Sequence, residues 1–539
     1  MSEIAALRPL VAIALPLLAV PLILASGSRP NVRETWTMLA SVGMFGTVAS
    51  MVPAVLDGTV FVTRLGTIVP GVGFTVRADP LGVLFAALAS LLWVVTSLYS
   101  IGYMRGLDEH DQTRYFAAFA VAVAAAIGIA FAGNLITIFV FYEVLSVATY
   151  PLVTHDETHA ARAAGRKYLA YTFFGGGVLV LAGTALVYYL TATAGAATVA
   201  FTPGGIAALA SADPMLTSLA FLLLAAGFGV KAGVMPLHQW LPTAMVAPTP
   251  VSGLLHAVAV VKSGIFGLAR VVMFVFGTET LAALGVWRVL AVAATITLVV
   301  ASVIALRQDN LKRRLAYSTI SQLSYIVLGL ALLEGNALIG ALLHIPAHAF
   351  MKLTLFFCAG AIHVETHTDD ISDMAGIGRR MPLTMLAFGV AAAGMAGIPL
   401  VAGFVSKWYL VIGALEVNGW LYAGALLASG VLNIAYFWPV VYQAFFESPD
   451  DHDAKPLVEG PFGGREAVRT DGGDEPVDEG DDDRSDDTGT ADEPEPEHVD
   501  HLDDRHGETD HHGGPPAGGW EARDWLGGES TWFMLGPIL

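Results

Sequence analysis

The chain has 539 residues, of which 55% are hydrophobic and 14% are charged. This composition is typical of a polytopic membrane protein and excludes an array of ordinary soluble domains. The formal net charge of −19 arises in one segment, because residues 447–510 hold 25 acidic and 5 basic residues, whereas the rest of the chain holds 22 and 23. The membrane part is therefore nearly neutral.

Thirteen apolar stretches follow one another along the chain. A helix needs roughly 20 apolar residues to cross a hydrocarbon core about 30 Å thick, so each stretch predicts one membrane span. The predicted spans are 10–25, 36–55, 81–103, 114–132, 134–153, 168–192, 216–235, 251–275, 285–306, 315–333, 337–362, 383–413 and 418–446. The polar start, with Glu3 and Arg8, has no net positive charge, which favours a retained first helix over a cleaved signal peptide.

The regions between and after the spans complete the domain organisation. Residues 57–79 alternate weakly and contain Gly and Pro, which predicts an extracytoplasmic hairpin or loop. The predicted regions are N-terminal helices with this hairpin (1–80), a membrane domain (81–446), an acidic segment (447–519) and the start of a possible final helix (520–539).

The acidic segment contains almost no large apolar residues and is rich in Asp, Glu, Gly and Pro. Such a composition cannot bury enough surface to fold alone, so we predict a disordered cytoplasmic segment. Five of its six histidines, at positions 498, 501, 506, 511 and 512, lie close together in the sequence. They bind metal adventitiously or are part of a solvated low-complexity tract. After it, Glu529–Leu539 begins like a helix and stops too soon to span a membrane.

Basic residues concentrate in every second connection between spans. By the positive-inside rule these connections are cytoplasmic. The N-terminus is therefore predicted to lie on the outer side of the cell membrane and the acidic segment on the cytoplasmic side. The basic residues are Arg29, Arg33, Arg105, Arg114, Arg162, Arg166, Lys167, Arg307, Lys312, Arg313, Arg314, Arg379 and Arg380. Arg64 and Arg77, in the longer second connection, are exceptions to this pattern.

Five ionisable residues lie inside the apolar spans. They are Glu143, Lys231, Lys262, Lys352 and Lys407. A lysine near a helix centre costs roughly 3 kcal/mol to insert, so such residues usually face a bundle interior or a hydrated path. Each alone is equally compatible with a buried structural pair or a side chain that extends to the interface. Together they indicate an ion path, with Glu143 and Lys231 as a pair that takes up and releases protons.

Two groups of histidines add to this set. His344, His348 and Lys352 are spaced by four residues, which places them on one stripe of a helix and predicts a proton relay continuing from Lys262. Satisfied core histidines are the alternative. His238 and His256 flank a proline-rich segment, where they relay protons or cap carbonyls that the prolines leave free.

Two spans contain a proline break near a lysine. Lys231 lies five residues before Pro236, which we predict interrupts its helix, and Lys407 lies eight residues after Pro399. Interrupted spans in corresponding positions of two halves indicate inverted repeats with ion sites near the bilayer midplane.

No motif for a cofactor, a metal or a nucleic acid occurs in the sequence. The one cysteine, Cys358, lies in an apolar span and provides no disulfide framework. We therefore expect no bound cofactor, and the driving energy must come from an ion gradient or from a partner protein.

Two long strings resemble a known family: KAGVMPLHQWLPTAMVAPTPVSGLLHA (Lys231–Ala257) and DNLKRRLAYSTISQLSYI (Asp309–Ile326). They are similar to the antiporter-like membrane subunits that respiratory complex I shares with Mrp-type multisubunit cation/proton antiporters. The resemblance covers residues 75–446. It implies an all-α polytopic fold of 13 or 14 helices, with two inverted five-helix repeats that each contain a broken helix.

The family's functional residues match single positions here. The resemblance implies that Glu143 is the carboxylate of the fifth helix, Lys231 the lysine of the broken seventh helix and Lys262 the lysine of the eighth. Lys352 matches the central lysine of the eleventh helix. Lysine at position 407, where some members have glutamate, favours the D-type component of the Mrp antiporters; the acidic segment and the missing last helix depart from that pattern.

Three functions are compatible with these features. The favoured hypothesis is a proton-translocating subunit of a multisubunit Na⁺/H⁺ antiporter, with other membrane subunits, protons, Na⁺ and the bilayer as partners and no nucleic acid. The second is a proton-pumping subunit of a complex I-like NADH-quinone oxidoreductase or a membrane-bound hydrogenase, which would make it part of an enzyme. The third is a scaffold whose buried charges hold neighbouring subunits and conduct nothing.

Overall fold

The computed structural model describes residues 2–257, 259–448 and 529–539. Nearly all of the predicted acidic segment, and residues 520–528 of the predicted final region, lie outside these described residues. The described part is helical apart from a three-stranded sheet near the start of the chain. The prediction of an all-α polytopic membrane fold is confirmed.

The helices follow the apolar stretches of the sequence. In the first part of the chain they are α1 Arg8–Ala25, α2 Pro30–Ala49, α3 Val52–Leu56, α4 Pro80–Gly106, α5 Gln112–Ala130, α6 Leu135–Val153, α7 His159–Leu169, α8 Val178–Thr193, α9 Ala207–Ala210 and α10 Pro214–Ala232. In the second part they are α11 Trp240–Thr243, α12 Thr249–Ala257, α13 Val260–Arg270, α14 Thr278–Leu284, α15 Trp287–Leu306, α16 Leu311–Ala331, α17 Gly335–Thr366, α18 Pro382–Ala396, α19 Ala402–Glu416, α20 Trp420–Phe446 and α21 Trp532–Ile538.

Within the described residues, eleven helical segments are long and apolar enough to cross a membrane. They correspond to eleven of the thirteen predicted spans. The other two are α16, which carries many polar residues, and the span 383–413, which is divided into α18 and α19. Two segments have π-helical geometry, Ala170–Gly177 between α7 and α8 and Val271–Phe276 after α13. Such segments are rare and occur frequently at functional sites.

The sheet is formed mainly by the chain between α3 and α4. Its strands are β1 Ser2–Ala5, β2 Thr59–Val69 and β3 Val72–Ala78. β2 and β3 form an antiparallel hairpin, and β1 adds to the hairpin as a strand parallel to β2. The hairpin occupies the stretch where the sequence favours a hairpin or loop, whereas β1 was not predicted, because four residues are too few for a visible alternation pattern.

The helix breaks occur at glycines and not at the prolines. α10 ends where Gly233 adopts φ +73°, and α18 ends where Gly397 adopts φ +84°. Both are left-handed C-caps, a conformation that glycine adopts without a steric penalty. Pro236 and Pro399 follow each glycine by two or three residues and prevent the helix from restarting at once. Backbone amides beyond the breaks bind several carbonyls of the last turns, whereas the Met395 carbonyl accepts hydrogen bonds from side chains.

The connections that the basic residues flank lie at one end of the molecule. We call it the basic end and define it by the loop residues 107–111, 154–158, 307–310 and 367–381. Arg33 Nη2 donates to Gln112 Oε1 at 2.7 Å, and Arg114 pairs with Glu157. The Leu311 amide donates to the Asp369 carbonyl at 2.9 Å. These bonds link neighbouring connections to one another.

The last described segment packs against the basic end. Glu529 is 3% exposed, and its carboxylate accepts hydrogen bonds from the Leu383 amide at 2.6 Å and the Thr384 amide at 3.0 Å. These amides belong to the first turn of α18 and have no partner within their helix, so Glu529 caps α18. The short helix α21 then packs on α4 beside Gly102.

Candidate functional site

The five ionisable residues predicted in the spans have no counterion among the residues that the structure describes. Lys231, Lys262 and Lys352 are fully buried, and Glu143 and Lys407 are half-buried. Among the residues that the structure describes, none of the five has an oppositely charged side chain within 4.0 Å. The lysines instead contact carbonyl oxygens, hydroxyls and a histidine. A buried structural ion pair, the alternative that the sequence leaves open for these residues, is therefore not formed by any of them within the described residues.

Lys231 lies in the last turn of α10 and crosses to α6. Its Nζ donates to the Tyr142 carbonyl oxygen at 2.6 Å and lies 3.4 Å from the centre of the Tyr142 ring. The Tyr142 hydroxyl donates in turn to the Gly227 carbonyl at 2.9 Å, which ties α6 to α10. Cation–π attraction and a carbonyl oxygen together provide a neutral environment that tolerates the ammonium without fixing it to a counterion.

Glu143 follows Tyr142 on α6 and faces the π-helical segment Ala170–Gly177. A Cβ atom at Gly177 would collide with its carboxyl group, so glycine at this position leaves room for the side chain. Its Oε1 is buried without a hydrogen-bond partner in the described structure. Lys231 binds the carbonyl of the residue that precedes Glu143, so the two predicted partners lie near each other. Their side chains do not form a direct ion pair in the described structure.

Lys262 lies in the first turn of α13 and reaches α17. Its Nζ is 2.8 Å from His348 Nδ1, and both side chains are fully buried. His348 Nε2 is buried and has no hydrogen-bond partner among the described residues. The next histidine along α17, His344, has its ring centre 6.1 Å from that of His348. The spacing of four residues thus brings the two imidazoles side by side, as the sequence predicts.

His344 connects to the second helix break through α16. Its Nε2–H donates to Gln322 Oε1 at 2.9 Å, and its Nδ1 lies 2.8 Å from Ser406 Oγ. Gln322 Nε2 donates weakly, at 3.4 Å, to the Met395 carbonyl in the last turn of α18. Lys407 Nζ donates to the same carbonyl at 2.5 Å.

The Met395 carbonyl is thus a shared acceptor at the second break. Asn433 Nδ2 approaches it as well, at 3.3 Å, from α20. It is free because the helix ends at Gly397, two residues later. At the first break the comparable acceptor is the Val230 carbonyl, which accepts from the Trp240 indole at 2.9 Å. The Val230 carbonyl also accepts from the Gly233 amide at 3.2 Å, and a lysine binds the last-turn carbonyl only at the second break.

Lys352 and His256 form the central part of the site. Lys352 Nζ donates to the Leu315 carbonyl at 3.0 Å and to Ser318 Oγ, both on α16. His256 is fully buried beside Phe356, with ring centres 4.8 Å apart, and neither ring nitrogen has a described hydrogen-bond partner. Lys352 follows His348 by one helical turn on α17, and α12, which carries His256, packs against α17. The two side chains therefore belong to the same buried region as His348.

His238 is separate from that cluster. It lies in the turn between α10 and α11, half-buried, with its ring centre 6.4 Å from that of Tyr317. Its Nδ1 is buried without a partner in the described part of the chain. Within the described residues, no hydrogen bond, ion pair or ring contact joins it to the other predicted relay residues.

Arg270, another ionisable residue inside a predicted span (251–275), was missed by the sequence analysis. Its guanidinium donates to Asp79 Oδ2 at 2.6 Å and to Asp79 Oδ1 at 2.7 Å, and both residues are buried. Phe201, Phe266 and Phe274 surround the guanidinium at 4.7 to 5.2 Å. Asp79 also caps α4 through the Gly82 amide. This bidentate, charge-neutral pair is structural and contrasts with the lysines.

Asp79→Asn is expected to destabilise the protein by about 3–5 kcal/mol, because it leaves the buried Arg270 charge unpaired. The measurement is thermal unfolding of the purified protein in detergent, with Asp57→Asn at an exposed aspartate as the matched control. Equal melting temperatures for the two variants would contradict a structural role for the pair.

Several other polar residues of the site were not predicted from the sequence. Gln322, Ser318, Asn433 and Ser406 are fully or almost fully buried, and they bind the predicted residues or share their acceptor. The signal for two of them was present, because Ser318 and Gln322 belong to the string Asp309–Ile326 that carries the family resemblance. Polar residues in an otherwise apolar helix indicate a buried site as charged residues do, because both are costly to place in hydrocarbon.

A helical bundle with unpaired lysines, histidines and freed carbonyls at two helix breaks defines a multi-pass membrane protein of the ion-transporting class. A family model described as "NADH:quinone oxidoreductase/Mrp antiporter, TM" matches residues 132–433, more than half of the chain. The chain belongs to this family.

Relatives come from both branches of the family. The N subunit of the NADH-quinone oxidoreductase of Desulforudis audaxviator (strain MP104C) is 35% identical over 380 residues, which cover 70% of this chain and 74% of the relative. The A/B component of a probable K⁺/H⁺ antiporter of Rhizobium meliloti (strain 1021) is 35% identical over 69% of this chain, which spans only 36% of that relative. The D component of the Na⁺/H⁺ antiporter of Alkalihalophilus pseudofirmus is 28% identical over 76% of this chain and 80% of the relative.

Two solved structures share the fold. A chain of the Mrp complex from Dietzia sp. DQ12-45-1b has a TM-score of 0.73 and 25% identity, covering 83% of this chain and 82% of that chain. A chain of the membrane-bound sulfane sulfur reductase, an archaeal respiratory membrane complex, has a TM-score of 0.73 and 23% identity, covering 85% of this chain and 91% of that chain. The relatives belong to assemblies of several proteins, which implies other membrane subunits as partners of this chain.

Proposed function

We propose that the chain is a proton-translocating subunit of a multisubunit monovalent cation/proton antiporter in the cell membrane. One observation carries the proposal: the buried hydrogen bond between Lys262 and His348, neither of which has a carboxylate partner among the described residues. An ammonium that donates to a neutral imidazole forms an acid–base pair across which a proton can move in either direction.

The proton steps follow from the hydrogen-bonding pattern. Lys262 in its ammonium form gives a proton to His348 Nδ1, and His348 releases another from Nε2. The Nε2 atom has no described partner, so a water molecule there can take this proton. His344 Nδ1 accepts the proton from that water once Ser406 Oγ has turned to its other partner, the Gly403 carbonyl. Beyond His344 the path leads to Lys407. Gln322 and the Met395 carbonyl, which bind His344 and Lys407, do not carry the proton; they hold the two side chains in place and orient the water between them.

In the first half of the molecule Glu143 and Lys231 are the exchanging pair. Lys231 is held by the Tyr142 carbonyl and ring, and the Glu143 Oε1 atom is open to accept. A carboxyl that approaches Lys231 stabilises the ammonium form, and one that moves away favours proton release. Lys352, bound to Ser318 one turn after His348, and His256 on the adjacent helix α12 supply further titratable groups.

The exchanged cation and the assembly belong to the same proposal. Relatives named as A and D components of Na⁺/H⁺ antiporters support Na⁺ as the cation, and the lysine at position 407 favours a D-type role. We place the basic end in the cytoplasm and the N-terminus outside, in accordance with the positive-inside rule. The pairing of this chain with further antiporter subunits follows from the same relatives.

A second function has one observation in its favour. The relative that is the N subunit of an NADH-quinone oxidoreductase matches as well as the antiporter components do, and such a protein would use the same buried groups. In that case redox chemistry in partner proteins drives the proton movement, and this chain alone catalyses no reaction.

The experiment that separates the two functions uses membrane vesicles containing the native assembly. A Na⁺ pulse without any electron donor should acidify or alkalise the lumen, depending on vesicle orientation, if the chain serves an antiporter. Proton movement that requires NADH or another donor would contradict the antiporter proposal, as would co-purification with flavin or iron–sulfur proteins.

Gly177→Ala is expected to lower Na⁺-dependent proton flux by about 100-fold, because the new methyl group displaces the Glu143 carboxyl and misplaced reacting groups cost rates of this order. Gly175→Ala is the matched control, since a Cβ there would lie 3.4 Å from the Ala170 carbonyl, in ordinary contact, within the same π-helical segment. The measurement is flux in vesicles with equal amounts of each variant. Equal flux for the two variants would show that the position of the carboxyl is unimportant.

A further inference from the structure

Two loops of the basic end bring two histidines and a carboxylate together. Glu109 and His110 lie between α4 and α5, and His155 lies between α6 and α7. Glu109 Oε2 is 3.7 Å from His155 Nε2 and 3.8 Å from His110 Nδ1. One ligand atom from each of the three residues lies within 4.8 Å of the other two. The group is outside the buried proton path described above.

His155 is a buried side chain without a hydrogen-bond partner. Its side chain is 0% exposed, and neither Nδ1 nor Nε2 forms a hydrogen bond within the described residues. Its backbone carbonyl accepts from His110 Nε2 at 2.9 Å and from Arg114 Nη2 at 3.1 Å, which fixes the loop. An imidazole that is buried and aimed at a carboxylate without bonding to it lacks the partner that a buried polar group requires.

The tautomer of His110 follows from its backbone contact. A carbonyl oxygen only accepts, so His110 Nε2 carries the hydrogen that it donates to the His155 carbonyl. In the neutral ring the Nδ1 atom then has its lone pair free on the side of Glu109. Metal-binding histidines characteristically donate their other ring N–H to a backbone carbonyl in this way.

We propose that Glu109 Oε2, His110 Nδ1 and His155 Nε2 form a binding site for a divalent transition-metal ion of the Zn²⁺ type. With metal–ligand distances near 2.1 Å, tetrahedral ligands lie about 3.4 Å apart, so the observed separations of 3.7 and 3.8 Å need only small side-chain movements. Two imidazoles and one carboxylate suit Zn²⁺ and similar ions, whereas Mg²⁺ and Ca²⁺ prefer oxygen ligands alone.

The neighbouring charges are compatible with this site. Asp111 and Glu157, which lie with His110 in a second, exposed group, are both paired with Arg114. Arg114 therefore removes these two carboxylates from competition and leaves Glu109 as the acidic ligand.

A metal ion at this position would connect two loops that lie far apart in the sequence. The loop that carries His155 begins directly after α6, the helix of Glu143. A bound metal ion would therefore hold the C-termini of α4 and α6 together.

The test is metal titration of the full-length protein, purified without a polyhistidine tag and treated with a chelator. The background carries asparagine in place of the six histidines of the acidic segment, which could bind metal adventitiously, at positions 452, 498, 501, 506, 511 and 512. Co²⁺ is the probe, because its visible absorption reports a protein site, and Zn²⁺ displacement gives the stoichiometry. We expect one equivalent of Co²⁺ to bind and to be displaced by one equivalent of Zn²⁺.

His155→Asn should weaken Co²⁺ binding at least tenfold, whereas His159→Asn, at an exposed histidine four residues away, should leave it unchanged. If His155→Asn does not fold, Glu109→Gln provides the same comparison at a side chain that is 20% exposed. The absence of a one-equivalent Co²⁺ spectrum in the background protein would overturn the proposal. Unchanged affinity in the folded His155 or Glu109 variant would overturn it too.

Discussion

Lys262→Met is expected to lower Na⁺-driven proton flux about 100-fold or more in vesicles, with no loss of assembled protein. The substitution removes the ammonium that contacts His348 Nδ1 at 2.8 Å and replaces it with an apolar side chain of similar length. Positioned acid–base groups contribute roughly 10²–10⁴ to the rates of proton transfer. Removing a buried charge that lacks a counterion should not destabilise the fold, because no opposite charge is left unpaired.

The control for this variant is Lys167→Met, at a half-buried lysine of α7. It makes the same chemical change outside the buried cluster and should retain the flux of the native protein. Retained flux in Lys262→Met would contradict the proposed path. Loss of assembly in Lys262→Met, with native flux per assembled complex, would instead favour a scaffold in which the buried charges only hold subunits.

Glu143→Gln is the second substitution with a large expected effect. It preserves the size of the side chain beside Gly177 and removes only the ability to ionise. We expect flux to fall about 100-fold, because Lys231 then has no carboxylate with which to exchange a proton. The measurement is the initial rate of Na⁺-dependent proton movement, normalised to the assembled complex.

Glu279→Gln is the matched control, since Glu279 is exposed in the first turn of α14. Both variants lose one carboxylate and gain one amide, so a general effect of charge on the vesicles would appear in both. Native flux in Glu143→Gln would remove Glu143 from the path. That result would not test the proposed roles of Lys262 and His348, which require substitutions of those two residues.

Much of the fold and part of the site could be predicted from the sequence. Continuous apolar stretches near 20 residues long determine the spans, because each backbone group must be satisfied inside the helix in hydrocarbon. The spacing of His344 and His348 likewise follows from helical geometry. The contact of His348 with Lys262 needed the tertiary structure, because 86 residues separate the two in the chain.

Other features could not be predicted because they depend on what the fold brings together. Arg270 finds Asp79 across 191 residues, and nothing local to either residue indicates the pairing. The breaks were predicted at Pro236 and Pro399, whereas each helix ends earlier, at the glycine that can adopt the left-handed conformation. The span predicted at 251–275 comprises α12, α13 and a π-helical segment, and no sequence pattern marks that division.

The solvation of the lysines has a consequence for the whole path. Lys231, Lys352 and Lys407 each donate to a backbone carbonyl. A carbonyl accepts from an ammonium or from a neutral amine, so it holds the side chain in place in both protonation states. A carboxylate partner would favour the ammonium strongly and would hinder release of the proton.

The part of the path with the least direct connection lies between Lys231 and Lys262. Their helices α10 and α13 pack closely where a Cβ at Gly264 would collide with the Lys231 backbone, but no hydrogen bond joins the two ammonium groups in the described structure. Water must therefore bridge them if protons pass from one to the other.

An experimental density map of the assembled protein, at a resolution that reveals ordered water, tests this requirement most directly. The proposed path predicts water molecules that link Lys231 Nζ to Lys262 Nζ, and a further one between His348 Nε2 and His344. Apolar side chains packed in direct contact through both intervals, with no water present, would contradict it.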